Sequence, residues 1–389
     1  MPRKFRILRN TLIGVFTIYL LLFAFTRVIH YPEPIAAIRL GIAPASKTPT
    51  LMPFHEVAAA PTPIPWSSKT EVMPGEVVWD GVPITFSNFL KTTNTNAFLV
   101  IRDGVITYEW YNKTTTVKTK LPSYSVAKTL TSIMIGQLVD QGKLRESDTF
   151  VQYFPELRTG GSFDRITIQN LLDMESGVGV SDNYPSGPSG WGVAIAQMYA
   201  TTDLDFFLKH NRKMADEPGS RSEYRSVDTQ MLGFLIQKIT GSKVSDYFSK
   251  NVWQAIGAQD SAFWNVDRVG GLEKTFCCFN ATARDYAKIG KLILDNGASK
   301  NNTGDVIGAK WMSRLTTPVT TLDHDWGYGA QMWHPFEGTS MLLGLHGQYI
   351  FIHPSSHTVI VKLSDEPTDD GNNQELTVSV LHDLVSSKL

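Results

Sequence analysis

Nine prolines fall between residues 32 and 74, at positions 32, 34, 44, 49, 53, 61, 63, 65 and 74. Proline has no backbone N–H to donate and its ring clashes with the preceding turn, so a stretch this dense supplies neither a regular helix nor a central strand. The chain is thereby divided. Upstream, a basic tip carries Arg3, Lys4, Arg6 and Arg9, and an uncharged, mostly apolar run extends from Asn10 to Thr26. That order reads as membrane targeting, with residues 1–10 cytoplasmic and 11–29 a single-pass span at the lower end of the usual length. A buried core helix has a similar composition. A cleaved signal needs small residues just after the apolar run, whereas Arg27-Val28-Ile29-His30-Tyr31 stands there, which favours an uncleaved anchor. On this reading residues 30–75 are an extended tether. Order begins near Glu76, and residues 76–389 form the folded domain. It faces the periplasm from an inner membrane, or is secreted if the N-terminal segment is cleaved.

Charge and cysteine content narrow the function classes. The 389 residues include 36 basic and 37 acidic side chains. Beyond the N-terminal tip the basic ones are not clustered, which argues against nucleic acid as a partner. Two cysteines, Cys277 and Cys278, are adjacent. They exclude a disulfide-built scaffold and a four-ligand cysteine or Cys₂His₂ zinc site; between a strained vicinal disulfide and two reduced, buried thiols, the thiols are expected. There is no His-Glu-x-x-His, Gly-x-Ser-x-Gly or Walker pattern. Asp323-His324-Asp325 reads as a solvated turn. No metal or organic cofactor is implied.

The hydrophobic periodicity predicts strands over 98–102 and 105–110, joined by the Asp103-Gly104 hairpin turn. Helices are predicted over 126–141, 168–174, 204–210, 228–239, 244–256 and 281–296. A Gly-, Ser- and Pro-rich loop covers 175–192. Strands return at 329–333, 340–344, 348–352 and 358–364, and a last helix covers 375–386. Strands at both chain ends and helices between them predict a mixed α/β fold. Its antiparallel sheet is built from both ends and flanked by helices, with a mostly helical insertion.

Three short patterns carry candidate chemistry. Ser125-Val126-Ala127-Lys128 opens the 126–141 helix. Serine and lysine three apart share a helix face, so the amine reaches the hydroxyl. A lysine accepts that proton only when burial or a nearby cation lowers its pKa. Taken alone, the pattern equally describes a helix cap followed by a solvated lysine. Tyr224-Arg225-Ser226 precedes the 228–239 helix and places a phenol and a hydroxyl on one side of an extended segment; alone it reads as a packed tyrosine and a capping serine. Gly344-Leu345-His346-Gly347-Gln348-Tyr349 has two glycines that permit close backbone approach, or a bulge.

Together and in this order, the three resemble the serine hydrolases of the penicillin-recognising fold: class C β-lactamases, DD-peptidases, related esterases and 6-aminohexanoate-dimer hydrolases. The last branch is the most similar, through Leu171-Leu172-Asp173-Met174-Glu175-Ser176-Gly177-Val178, the stretch from Tyr224 to Gly233, Ala281-Thr282-Ala283-Arg284-Asp285-Tyr286-Ala287 and Gly347-Gln348-Tyr349. The resemblance covers roughly residue 76 to the C-terminus. It implies Ser125 as acylated nucleophile, Lys128 as its base and Tyr224 as second proton-transfer group. It implies an oxyanion hole from the amides of Ser125 and Leu342, and substrate contacts from Tyr184, Ser226, His346 and Gln348. Three departures stand out. Gly338-Thr339-Ser340 replaces Lys-Thr-Gly, which weakens the case for a β-lactam substrate. Tyr-x-Ser replaces Tyr-x-Asn. The loop reads Val180-Ser181-Asp182-Asn183 in place of the combined aromatic and acidic pattern expected there, so nylon-type oligomers are not implied.

The expected function is therefore hydrolysis of a small ester, amide or peptide-like substrate through an acyl-enzyme. Oligomeric state is left open. Two alternatives remain: a non-catalytic binding or sensor domain that keeps the pocket, and a cell-wall DD-peptidase or transpeptidase.

Overall fold

The computed structural model describes residues 3–182, 193–299, 304–367 and 373–386. Eight strands form one antiparallel sheet: β1 Thr95–Arg102, β2 Val105–Tyr111, β3 Thr320–Thr321, β4 Gly327–Gly329, β5 Met332–His334, β6 Ser340–Gly344, β7 Gln348–His353 and β8 Thr358–Ser364. Their spatial order is β2-β1-β8-β7-β6-β5-β4-β3. The pairing of β8 with β1, Ile360 opposite Val100, joins the two chain ends. Asp103 and Gly104 both take positive φ, 49° and 76°, the backbone a two-residue hairpin turn requires.

Both faces of this sheet are buried, and the alternation along each strand divides them. Leu99, Ile101, Ile350, Ile352, Val359 and Val361 face the larger core, with helix Ala283–Leu294. Phe98, Val100, Phe351 and Ile360 face the smaller one, which helix Asn373–Ser386 closes through Val378, Leu381 and Val385. Between strands β6 and β7 and the helical region lies helix Val126–Asp140, buried along almost its whole length. Its crossing with helix Ala309–Leu315 needs glycine: a Cβ on Gly136 would stand 2.2 Å from the Trp311 ring.

Several elements differ from expectation. The strand expected over 329–333 is a hairpin, β4–β5, whose turn holds Ala330 and Gln331 at positive φ. Gln331 stabilises that turn by donating to the carbonyls of Leu171 and Leu172 and accepting from Thr229. The helix expected over 244–256 runs only Val244–Phe248, then widens into a π turn over Ser249–Trp253.

The proline-rich segment is not a free tether. Pro34 begins helix Pro34–Ile42, at the first turn where a missing N–H costs nothing, and Glu33 caps it. Strand Phe54–Val57 pairs with Ala262–Asn265, and Val57 is fully buried in the main core. Proline cannot donate, but its carbonyl and its neighbours' still accept. Asn265 Nδ2 donates to the carbonyls of Pro49, Met52 and Pro53, and the Val266 amide donates to Pro53. Further on, the amides of Ala60 and Ile64 donate to Ala258 and Gly257. Order thus begins well before Glu76. Helix Arg3–Val28 is long and apolar enough to cross a membrane, and none of it is buried against the domain.

Candidate active site

The nucleophile candidate sits where a short strand gives way to a helix. Leu121–Pro122 pairs with Phe279–Ala281, Ser123 is locked to Phe279 by its amide and hydroxyl, and Tyr124 takes φ 41°. That left-handed residue turns the chain sharply and presents Ser125, half-exposed, at the N-terminus of helix Val126–Asp140. One turn on, Lys128 is 1% exposed. Its Nζ lies 2.9 Å from Ser125 Oγ, 2.8 Å from Ser226 Oγ and 3.1 Å from the Phe276 carbonyl oxygen. Burial lowers its pKa to about 8, while the carboxyl groups of Asp182 and Asp228 act in the opposite direction.

Tyr224 completes the cluster from the other side. Its ring stacks on Trp333 at 5.5 Å, meets Tyr328 edge-on at 6.1 Å, and has Lys128 Nζ 4.8 Å above its centre. Its hydroxyl contacts the Ser125 side chain. Burial pushes its pKa well above the ordinary phenol range, so at neutral pH it is a proton donor and not a phenolate. Ser226 opens helix Ser226–Thr240.

Asp182 is the residue that sequence reasoning missed. Its Oδ1 accepts the Ser226 amide at 2.7 Å and its Oδ2 accepts the Ser226 hydroxyl. The only available signal was an acidic residue in the loop preceding the Tyr-x-Ser pattern, and no spacing rule connects residues 44 apart. Asp228, wholly buried two residues after Ser226 in the same helix, accepts the Ser176 hydroxyl; burial raises its pKa to about 8.

The remaining expected residues divide. At the end of β6, Gly344 comes against the Ser125 turn: a Cβ there would stand 2.3 Å from the Ser123 carbonyl oxygen and 3.1 Å from the Ser125 amide nitrogen. The strand therefore meets the Ser125 amide at Gly344. Leu342, expected as the oxyanion donor, lies two positions back with its side chain in the core. His346 sits edge-on to Tyr124 at 4.9 Å, with Nδ1 2.8 Å from the Glu366 carbonyl oxygen. Gln348 is fully buried, and its amide nitrogen donates to the carbonyls of His346 and Ser364. It holds the β6–β7 turn in shape and has no hydrogen left for a substrate. Tyr184 lies outside the described residues. Cys277 and Cys278 are joined in a vicinal disulfide instead of standing as free thiols. The tight turn that follows Phe276 brings their sulfurs together, with Cys278 at φ 70°.

A hydroxyl beside a buried, pKa-lowered amine, with a phenol opposite, is an arrangement chemically capable of serine acyl transfer. Comparison with known proteins agrees with this class. The beta-lactamase family model matches residues 91–382, and the chain belongs to that family. The 6-aminohexanoate-dimer hydrolase of Paenarthrobacter ureafaciens is 27% identical over 303 residues, covering 72% of this chain and 75% of the relative. Among solved structures, a Bacillus anthracis protein assigned as a 6-aminohexanoate-dimer hydrolase superposes with a TM-score of 0.78 at 22% identity, covering 91% of this chain and 94% of that one. A family VIII carboxylesterase gives a TM-score of 0.59 at 14% identity, covering 76% and 94%. The fold is thus that of β-lactamases and penicillin-binding proteins, and the family is one of hydrolases.

Proposed function

We propose that this protein is a membrane-anchored serine hydrolase that cleaves an ester or amide bond through an acyl-enzyme on Ser125. The observation that carries the reading is Lys128 Nζ at 2.9 Å from Ser125 Oγ, in surroundings that lower its pKa to about 8. Neutral Lys128 takes the Ser125 proton as Oγ adds to the substrate carbonyl. The tetrahedral oxyanion is held by the Ser125 amide at the helix N-terminus and by an amide from the end of β6, near Gly344 and Leu345. Tyr224, a phenol at neutral pH, gives a proton to the departing alcohol or amine, and water then releases the acyl group. His346, beside Tyr124, borders the leaving-group side. Helix Arg3–Val28 is read as an uncleaved anchor that places the domain on the periplasmic side. A disulfide between Cys277 and Cys278 agrees with an oxidising compartment.

Amide cleavage is favoured over ester cleavage alone by the buried Tyr224, because an amine leaves only when protonated. The test is turnover of a panel of p-nitrophenyl esters and anilides by the full chain in detergent. Activity in the wild type and none in Ser125→Ala supports the proposal. Equal turnover by Ser125→Ala rules it out.

A further inference from the structure

We propose that Asp182 sets the direction of the hydrogen-bond chain that ends on Ser125, and so acts as a positioning residue for the base. The inference rests on Lys128 serving as the base for Ser125, and adds what makes its lone pair available there.

The available hydrogens fix the direction of the chain. A carboxylate has only acceptor sites, so the Ser226 hydroxyl gives its single hydrogen to Asp182 Oδ2, while the Ser226 amide goes to Oδ1. With that hydrogen committed, Ser226 Oγ can only accept from Lys128 Nζ, at 2.8 Å. The Phe276 carbonyl, at 3.1 Å, also only accepts. A neutral lysine amine has two hydrogens and one lone pair. These two acceptors take both hydrogens, and the lone pair is left facing the third neighbour, Ser125 Oγ, at 2.9 Å. The chain therefore runs from Lys128 to Ser226 to Asp182, and its free end is the one that can receive a proton.

The rest of the surroundings cannot replace Asp182. Tyr224 presents its ring to Nζ, and Phe276 presents a carbonyl. Asp228 is occupied by Ser176. Arg225 is turned away, paired with Asp216 and Glu223. Burial raises the Asp182 pKa, while Lys128, the two Ser226 hydrogen bonds and Arg225 act the other way, as does the dipole of the 15-residue helix Ser226–Thr240 at whose N-terminus Asp182 lies. In Asp182→Asn the side chain can donate to Ser226 Oγ. The Ser226 hydrogen is then free to turn onto the Lys128 lone pair, and the chain reverses away from Ser125.

The test is the rate of fluorophosphonate labelling of Ser125 in the full chain in detergent, measured from pH 6 to pH 10 for the wild type, Asp182→Asn, Ser226→Ala and the double variant. In Asp182→Asn the plateau rate is expected to fall about 10- to 100-fold. The rising limb should also move to lower pH, because Lys128 loses a neighbouring negative charge. Ser226→Ala should lose a similar factor, and the double variant should be no slower than the slower single one. A merely structural role for Asp182 lowers the thermal midpoint without moving the pH limb, and that result overturns the inference. So does wild-type plateau labelling in Asp182→Asn, or a double-variant loss equal to the product of the two single losses. Should Asp182→Asn not fold, Ser226→Ala alone decides: labelling at the wild-type rate contradicts the chain. Failure of the wild type to label on Ser125 is a separate result, which removes the parent reading and this inference with it.

Discussion

Ser46 and Asp365, 319 residues apart in the chain, are joined twice: the Ser46 amide reaches Oδ1 at 2.6 Å and the Ser46 hydroxyl reaches Oδ2 at 2.7 Å. Two residues on, buried Thr48 contacts Tyr124, the residue preceding Ser125. The segment after the apolar N-terminal helix is therefore fastened to the flank of the active site before it enters the sheet as Phe54–Val57.

Truncation should reveal that fastening. A chain beginning at residue 30, which keeps the stacking of His30 on Phe206 and the buried Leu40, is expected to keep the thermal midpoint of the full chain. One beginning at residue 76 loses the strand, the Ser46–Asp365 pair and the buried Val57. Its midpoint should fall by about 5–10 °C, the equivalent of a few kcal/mol in a domain of this size. Matching midpoints in a calorimetric scan of the two truncations would show that the segment adds nothing to the domain.

Replacing Tyr224 by Phe keeps the stacking on Trp333 and removes only the hydroxyl. The loss should depend on the leaving group. Hydrolysis of an anilide, which needs a proton on nitrogen, should drop about 100-fold or more. Hydrolysis of a p-nitrophenyl ester, whose leaving group departs as a stable anion, should drop only a few-fold. Equal losses on the two substrates, read from kcat/KM, would remove Tyr224 from the role of proton donor.

Gly344 is the point at which β6 touches Ser125, the proposed nucleophile. Gly344→Ala places a methyl group against the Ser123 carbonyl and the Ser125 amide, so the strand end must move away. Loss of one oxyanion donor lowers kcat by about 100- to 1000-fold. The variant is expected to show that loss in steady-state kinetics with a nearly unchanged circular dichroism spectrum. Wild-type kcat would place the oxyanion hole elsewhere.

These residues also mark what could be read without coordinates. Strongly periodic elements were legible: Ser340–Gly344, Thr358–Ser364 and Leu204–His210 fall on their expected bounds, because alternation and 3.6-residue spacing are local properties. Ser125 and Lys128 were legible as neighbours, since a helix start fixes that pair, whereas Tyr224 joined them only through the family resemblance; the structure brings all three together. The rest depends on distant partners. The proline-rich stretch reads as a tether, because nothing local announces that Asn265 and Ala258 will receive it. Gln348 reads as a substrate contact, because polarity alone does not reveal that the Ser364 carbonyl lies behind it. Asp182 was passed over for the same reason: its importance comes from Ser226, and only the fold brings the two together.

The most direct test of the central claim is fluorophosphonate labelling of the full chain in detergent, followed by intact mass and peptide mapping across pH 6 to pH 10. Lys128 is the reactive base only when neutral, and its pKa is lowered to about 8. Labelling should therefore be slow below that pH, rise through it and level off above. The account predicts a single adduct on Ser125 with that profile, and its loss in Lys128→Ala. An adduct on another residue, a rate indifferent to pH, or undiminished labelling in Lys128→Ala would contradict it.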